Sequence, residues 1–125
     1  MSDTATTTTV LRSAFVNAWR GLATTWRDEV TFRVEVTLGA LAFTLSLWLG
    51  EGTIVVLAFG ALVLALELLN TALERLADAV HPTRHPLVGA AKDASAGAVV
   101  VAAGAALLAG VVVLGPPLLA RLAGA

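Results

Sequence analysis

The chain has 125 residues, of which 58% are hydrophobic and only 14% are charged. This balance lies outside the usual range of soluble domains and indicates a membrane protein. Because cysteine is absent, disulfide frameworks and thiolate metal sites are excluded. A net charge of -1 gives no reason to expect nucleic-acid binding.

The N-terminal part of the sequence predicts a surface helix that follows a flexible start. Residues 1–10 lack the basic start and apolar core of a signal peptide, so we expect them to be retained as a flexible N-terminus. Over residues 11–30, apolar side chains recur every three or four positions, with arginines off that stripe. This period predicts an amphipathic helix, which either lies in the membrane interface or packs only on protein. The stripe consists of Leu11, Phe15, Trp19, Leu22 and Trp26.

Two apolar segments then predict the first two membrane-spanning helices. The first covers residues 32–50, ends at the turn 50–52 and places Glu35 near the lipid headgroups. The second covers residues 53–78 and extends beyond the membrane into the cytoplasm. Its apolar part is long enough, at about 1.5 Å per residue, to cross roughly 30 Å of hydrocarbon. We expect helices because strand alternation is missing, and helices satisfy their backbone groups within the segment.

The third predicted span covers residues 90–115. We expect it to end before Pro116 and Pro117, which do not continue a regular helix, and to leave 116–125 as a C-terminal tail. Small residues such as Gly97 and Gly104 permit close helix contact and suggest that this span runs against another helix.

The distribution of basic residues sets the orientation. Every lysine and arginine except Arg121 falls on the N-terminal side of this layout. The positive-inside rule therefore places the N-terminus and the loop 79–89 in the cytoplasm and the C-terminus outside. We expect a multi-pass protein of the cytoplasmic (inner) membrane.

Four polar residues of the second span recur at helical spacing and share one side of the helix. We call them the polar line: Glu67, Asn70, Glu74 and Asp78. A carboxylate at membrane depth is costly and usually functional, although Glu67 could also serve only helix pairing. Three thin helices would hardly shelter this line alone, so we expect a homo-oligomer.

Beyond the polar line lie two further groups of polar residues. His81 and His85 are four residues apart, but Pro82 interrupts a continuous helix between them, so we do not expect a zinc site. Lys92 and Asp93 open the third span, either as a snorkelling interfacial pair or as a phosphate-binding pair.

The polar line has the motif E-x-x-N-x-x-x-E-x-x-x-D, and Ala91-Lys92-Asp93 follows it later in the chain. Together these residues resemble the prokaryotic diacylglycerol kinase family. The resemblance extends from about Phe15 to Gly115. The segment 85–87 and the segment 90–99 look closer to the branch that includes undecaprenol kinases.

This resemblance implies a homotrimeric bundle with composite active sites near the cytoplasmic face. In this family the γ-phosphoryl group of ATP passes, with Mg²⁺, to a lipid hydroxyl, either of diacylglycerol or of undecaprenol. The resemblance implies that Glu67 is the general base, with Asn70 beside it, and that Glu29 and Glu74 hold Mg²⁺. The implied nucleotide contacts are Glu29, Glu74, Asp78, Thr83, Arg84, His85, Lys92 and Asp93.

Arg12 and Asn17 are further contacts for nucleotide or substrate that the resemblance implies at the N-terminus. The sequence departs from the family there, because the family often has a basic residue slightly ahead of Arg12 and an aromatic residue or histidine near Asn17.

Two other functions remain open from the residues alone. One is an oligomeric transporter or channel in which Glu67 binds a cation or a proton. The other is a structural membrane subunit whose polar residues only fix helix pairing.

Overall fold

The structure is a computed structural model that describes the backbone of residues 2–124 and the side chains of residues 7–124. Within these residues the chain is all helical and has no strand, as the sequence predicts. The helices are α1 (Ser2–Asp28), α2 (Val30–Leu49), α3 (Thr53–Val80) and α4 (Pro86–Leu122). The chain divides into two compact units, residues 1–30 and residues 31–125.

Three of these helices are long and apolar enough to cross a membrane. The mean hydropathy of the most apolar window is 1.4 in α2, 2.2 in α3 and 2.6 in α4. Large aliphatic side chains are exposed along all three, for example Leu41, Ile54 and Val101. A membrane protein of three spans needs such surfaces, because side chains that face lipid have no protein to cover them.

The first helix begins earlier than the sequence predicts. Residues 2–10, which we expected to be a flexible N-terminus, are the helical start of α1, and Met1 lies outside the described residues. No glycine or proline precedes Gly21, so no strong helix breaker interrupts the hydrogen-bond ladder. α1 ends at Asp28, and the backbone N–H of Glu29 still donates to the Thr25 carbonyl at 2.9 Å.

A glycine turn joins α2 to α3, as the sequence predicts. Gly50 and Gly52 have positive φ angles of 78° and 73°, a conformation in which side chains other than that of glycine are strained. A Cβ atom on Gly52 would lie 2.9 Å from Leu114 Cδ2, so this turn also packs closely on α4.

The last helix is longer than predicted at both ends. It begins at Pro86, whose missing N–H costs nothing at the first helical position, and His85 Nδ1 accepts the Leu87 N–H at 3.3 Å. The expectation that Pro116 and Pro117 end the helix is wrong, because α4 continues to Leu122. Each proline removes its own N–H and crowds the carbonyl one turn earlier, but its fixed φ is compatible with the helix, and membrane-spanning helices tolerate such residues.

α3 and α4 are the two helices that pack most closely. α3 buries Val63, Glu67 and Thr71 at intervals of four residues, and α4 buries Val99 and Ala102. The prediction that the third span runs against another helix is therefore confirmed.

Only some of the small residues of α4 form this contact. A Cβ atom added to Gly97 or Gly104 would meet nothing within 4 Å, so both glycines face away from α3. Ala102, in contrast, is only 4% exposed.

Candidate functional site

The polar line runs from a buried to an exposed position along α3. Glu67 is 5% exposed, Asn70 and Glu74 are half-buried, and Asp78 is exposed. The burial decreases toward the C-terminal end of α3, where the chain leaves its most apolar stretch. The line therefore connects the bundle interior with the loop between α3 and α4.

Asn70 occupies the middle of the line, where α3 meets α4. Its Nδ2 lies 3.4 Å from Glu74 Oε1 and donates to it, and its Oδ1 accepts from the Ser95 hydroxyl at 2.6 Å. The same hydroxyl lies 2.8 Å from the Lys92 carbonyl oxygen. Ser95, which the sequence analysis did not select, thus joins the polar line to the start of α4.

The buried end of the line faces α2. The Thr31 hydroxyl of α2 donates to Glu67 Oε1. Glu35 stands one turn further along the same side of α2, close enough for its charge and that of Glu67 to repel each other. Glu35 Oε2 is buried without a hydrogen-bond partner among the described residues.

This environment bears on two expectations. Glu35, which we expected near the headgroups, is half-buried and lies near the buried Glu67, while Thr31 is exposed. A single chain buries Glu67 to 5% exposure but leaves Asn70 and Glu74 half-buried and Asp78 exposed, so the homo-oligomer stays a prediction.

The exposed end of the line opens into a cleft of about 540 Å³. Residues from the end of α3, from the loop and from the start of α4 line it. The cleft collects five of the expected nucleotide contacts, Asp78, Thr83, Arg84, His85 and Lys92. Asp93 is exposed and is not among the lining residues.

Lys92, the only lysine of the chain, crosses this cleft. Its Nζ lies 2.8 Å from Asp78 Oδ1, with the Lys92 side chain 30% and the Asp78 side chain 69% exposed. The structure thus places Lys92 in an ion pair with a residue of the polar line. Asp93, its expected partner at the membrane interface, has no such contact described.

The loop itself is held by contacts between its own side chains. The rings of His81 and His85 lie 5.1 Å apart, and Thr83 Oγ1 lies 3.4 Å from His81 Nδ1. Among the described residues, no three histidine, aspartate or glutamate side chains gather as a metal-binding group.

The remaining expected contacts belong to the first unit. Arg12 and Asn17 are exposed on α1, and Glu29 is half-buried at the break that follows α1. The exposed face of α1 carries Phe15 and Trp19, which are 73% and 65% exposed.

Comparison with known proteins gives a consistent set of relatives. A family model described as prokaryotic diacylglycerol kinase matches residues 16–114. A diacylglycerol kinase of Synechocystis sp. is 41% identical over 110 residues, which cover 85% of this chain and 63% of that protein. An undecaprenol kinase of Bacillus subtilis is 38% identical over 109 residues, 84% of this chain and 88% of that protein. A diacylglycerol kinase of Escherichia coli is 32% identical over 105 residues, 82% and 86% respectively.

Proposed function

Since this chain belongs to the prokaryotic diacylglycerol kinase family, we propose that it is a membrane lipid kinase. It transfers the γ-phosphoryl group of ATP to the hydroxyl of diacylglycerol or of undecaprenol. The polar line carries this proposal, because it joins a buried carboxylate, Glu67, to an open cleft with two cationic side chains, Lys92 and Arg84.

The cleft suits the nucleotide. Its volume of about 540 Å³ falls within the range of small-molecule sites. Lys92 and Arg84 are the groups that bind the phosphates, since cationic donors make strong hydrogen bonds to phosphate oxygens. Thr83, His85 and Asp78 supply further polar contacts around them.

The middle of the polar line suits a magnesium ion. Mg²⁺ prefers oxygen ligands and is usually held by one or two carboxylates together with substrate phosphates. Glu74 is a half-buried carboxylate beside the Asn70 amide, and Glu29 is the second carboxylate we assign to the ion. When bound, the ion neutralises charge on the transferring phosphoryl group.

Glu67 is the group that accepts the proton of the lipid hydroxyl. It lies seven residues from Glu74, which at about 1.5 Å per residue is about 10 Å along α3 and within the reach of a triphosphate. Thr31 orients the carboxylate by donating to Oε1, which leaves Oε2 for the incoming proton. The hydroxyl oxygen then bonds to the γ-phosphorus, and ADP leaves with the electron pair of the broken bond.

The distribution of charge and of exposed apolar surface supports the proposed placement in the membrane. α1 lies on the cytoplasmic surface with its stripe of apolar residues toward the lipid, and the loop after α3 is cytoplasmic. The active form is a homotrimer of the inner membrane with Glu29 and Glu74 at a shared site. The family resemblance supports this assembly.

One assay tests the activity and identifies the acceptor. The purified protein is reconstituted in lipid vesicles with γ-labelled ATP, Mg²⁺ and either diacylglycerol or undecaprenol. We expect one of the two lipids to acquire label, and we expect EDTA to abolish labelling until Mg²⁺ is restored. Labelling of neither lipid, under conditions in which the protein remains folded, would overturn the proposal.

The transporter alternative receives no support from the relatives, which are named as kinases. It predicts ion flux through vesicles without consumption of ATP, which the same reconstituted samples can measure.

A further inference from the structure

Ser95 has a contact pattern that no catalytic role accounts for. Its hydroxyl oxygen lies 2.6 Å from Asn70 Oδ1 and 2.8 Å from the Lys92 carbonyl oxygen, and both are acceptors. A hydroxyl has one hydrogen, so it donates to only one of them at a time. The same oxygen also accepts hydrogen bonds. Ser95 can therefore serve two different arrangements of its neighbours without moving.

In the arrangement seen in the structure, Asn70 directs its amide nitrogen toward Glu74. The Nδ2 to Oε1 distance is 3.4 Å, and the Ser95 hydroxyl donates to Asn70 Oδ1. An uncharged amide donor beside a carboxylate is favourable when that carboxylate has no other partner.

In the reversed arrangement the amide of Asn70 is turned by about half a revolution about its last side-chain bond, a torsion with two broad minima. Nδ2 then donates to Ser95 Oγ, and the Ser95 hydrogen turns to the Lys92 carbonyl, 2.8 Å away. Asn70 Oδ1 then faces Glu74. The Ser95 hydroxyl and the Lys92 carbonyl keep a hydrogen-bond partner in both arrangements. The charge at Glu74 therefore decides which arrangement of the Asn70 amide is favoured.

We propose that Ser95 is a positioning residue that lets the Asn70 amide reverse, so that the amide oxygen turns to a divalent cation held at Glu74. The inference rests on the proposed function, which assigns Glu74 as a cation ligand. A donor hydrogen aimed at a cation is repelled, whereas amide and carboxylate oxygens are suitable ligands. Through Ser95, the binding of a cation at Glu74 changes the orientation of the Asn70 amide. Asn70 lies between Glu67 and Glu74 on α3.

The chain offers an unusually simple readout of this reversal. Asn17 and Asn70 are its only asparagines, and glutamine is absent, so a sample labelled with ¹⁵N on asparagine side chains gives two amide pairs. Asn17→Ala removes one pair and assigns the other to Asn70. The measurement uses the full-length protein in lipid nanodiscs, first with Mg²⁺ alone and then with Mg²⁺ and a non-hydrolysable ATP analogue.

Three variants separate positioning from general stability. Ser95→Ala removes both hydrogen bonds of the hydroxyl, and Ser95→Thr keeps the hydroxyl. Ser46→Ala is the matched control, because the Ser46 hydroxyl is buried and donates at 2.7 Å to the carbonyl of Phe43, three residues earlier in its own helix. Glu74→Gln tests the cation ligand on which the inference rests.

We expect Mg²⁺ to shift the Asn70 amide pair in the wild type and in Ser46→Ala, and not in Glu74→Gln. Ser95→Ala should require about tenfold more Mg²⁺ for the same shift, which corresponds to about 1.4 kcal/mol. Ser95→Thr should stay within about threefold of the wild type. An Asn70 pair that does not respond to saturating Mg²⁺, or a Ser95→Ala protein with the wild-type response, would overturn the inference.

The failure of the inference can be told from a failure of the proposed function. If the wild type labels a lipid and its Asn70 pair does not respond to Mg²⁺, only the role of Ser95 is refuted. If no lipid is labelled, the kinase proposal itself fails. Should Ser95→Ala not fold, a wild-type Asn70 pair that does not respond to saturating Mg²⁺ still overturns the inference.

Discussion

Replacing Glu67 with glutamine should abolish turnover and leave the protein at least as stable as before. Glutamine has the same shape, and its Oε1 still accepts the Thr31 hydroxyl. Its amide nitrogen does not accept a proton, so the lipid hydroxyl loses its base. General-base removal costs about 10²- to 10⁴-fold in rate, or about 2.7 to 5.4 kcal/mol in the barrier.

If Glu67 served only to pair helices, its replacement would destabilise the protein. We expect instead that Glu67→Gln does not lower the unfolding temperature. Glu67 lies beside Glu35, whose Oε2 is buried without a partner among the described residues. Glutamine at position 67 removes the repulsion between the two carboxyls. We therefore expect the unfolding temperature to be unchanged or to rise.

The assay measures lipid labelling, ATP-analogue binding and thermal unfolding on the same nanodisc samples. Analogue binding should stay near the wild-type value, because Glu67 lies about 10 Å along α3 from Glu74. Glu35→Gln should be similarly stable with a smaller loss of turnover. Glu51→Gln, an exposed neutralisation in the turn before α3, should change neither quantity. Near-normal turnover of the Glu67→Gln protein would refute its role as the base, and marked destabilisation would favour helix pairing as its function.

Three further substitutions test the orientation of Glu67, the packing of the turn before α3 and the contact of Lys92 with ATP. Thr31→Val should lower kcat about tenfold at an unchanged KM for ATP, because it removes the donor that orients Glu67; an unchanged kcat would contradict this. Gly52→Ala should destabilise the protein by about 1 to 3 kcal/mol in thermal unfolding, because the residue has a positive φ and a Cβ would lie 2.9 Å from Leu114 Cδ2. Gly60→Ala is the control and should be tolerated, because its Cβ would meet no atom within 4 Å. Lys92→Met should raise the KM for ATP at least tenfold in steady-state kinetics with little change in unfolding temperature, because Asp78, its ion-pair partner, is exposed and is solvated without it. An unchanged KM would exclude Lys92 as a phosphate contact.

The sequence predicts most of the fold because its signals are local. The predicted span 53–78 agrees closely with Thr53–Val80, since a long apolar run between a glycine turn and a proline-containing loop leaves few alternatives. The end of α4 was wrong because a general rule about proline was applied to a helix that tolerates two of them. Residues 2–10 were not recognised as helical because polar threonines give no apolar period.

The candidate site could be predicted only along one helix. Helical spacing places Glu67, Asn70 and Glu74 on one side of α3, and in the structure Asn70 donates to Glu74. Spacing does not say which residues of α2 and α4 face them. Thr31 and Ser95 were missed for this reason: each is an ordinary small polar residue until packing places it within hydrogen-bond distance of the line.

The position of the polar line also distinguishes the proposed kinase from the transporter alternative. A path across the membrane would require polar groups on both sides of Glu67. Between Thr53 and Glu67, however, α3 has no charged residue, and α4 has none between Asp93 and Arg121. The residues buried there include the apolar Val63, Ala102 and Leu114, and the hydroxyl of the buried Ser46 donates to the Phe43 carbonyl of its own helix. The charged side chains of α3 thus lie only between Glu67 and the loop, on one side of the apolar stretch. This one-sided distribution fits the proposed function, in which a charged nucleotide approaches from the loop and a lipid hydroxyl meets it near the buried carboxylate.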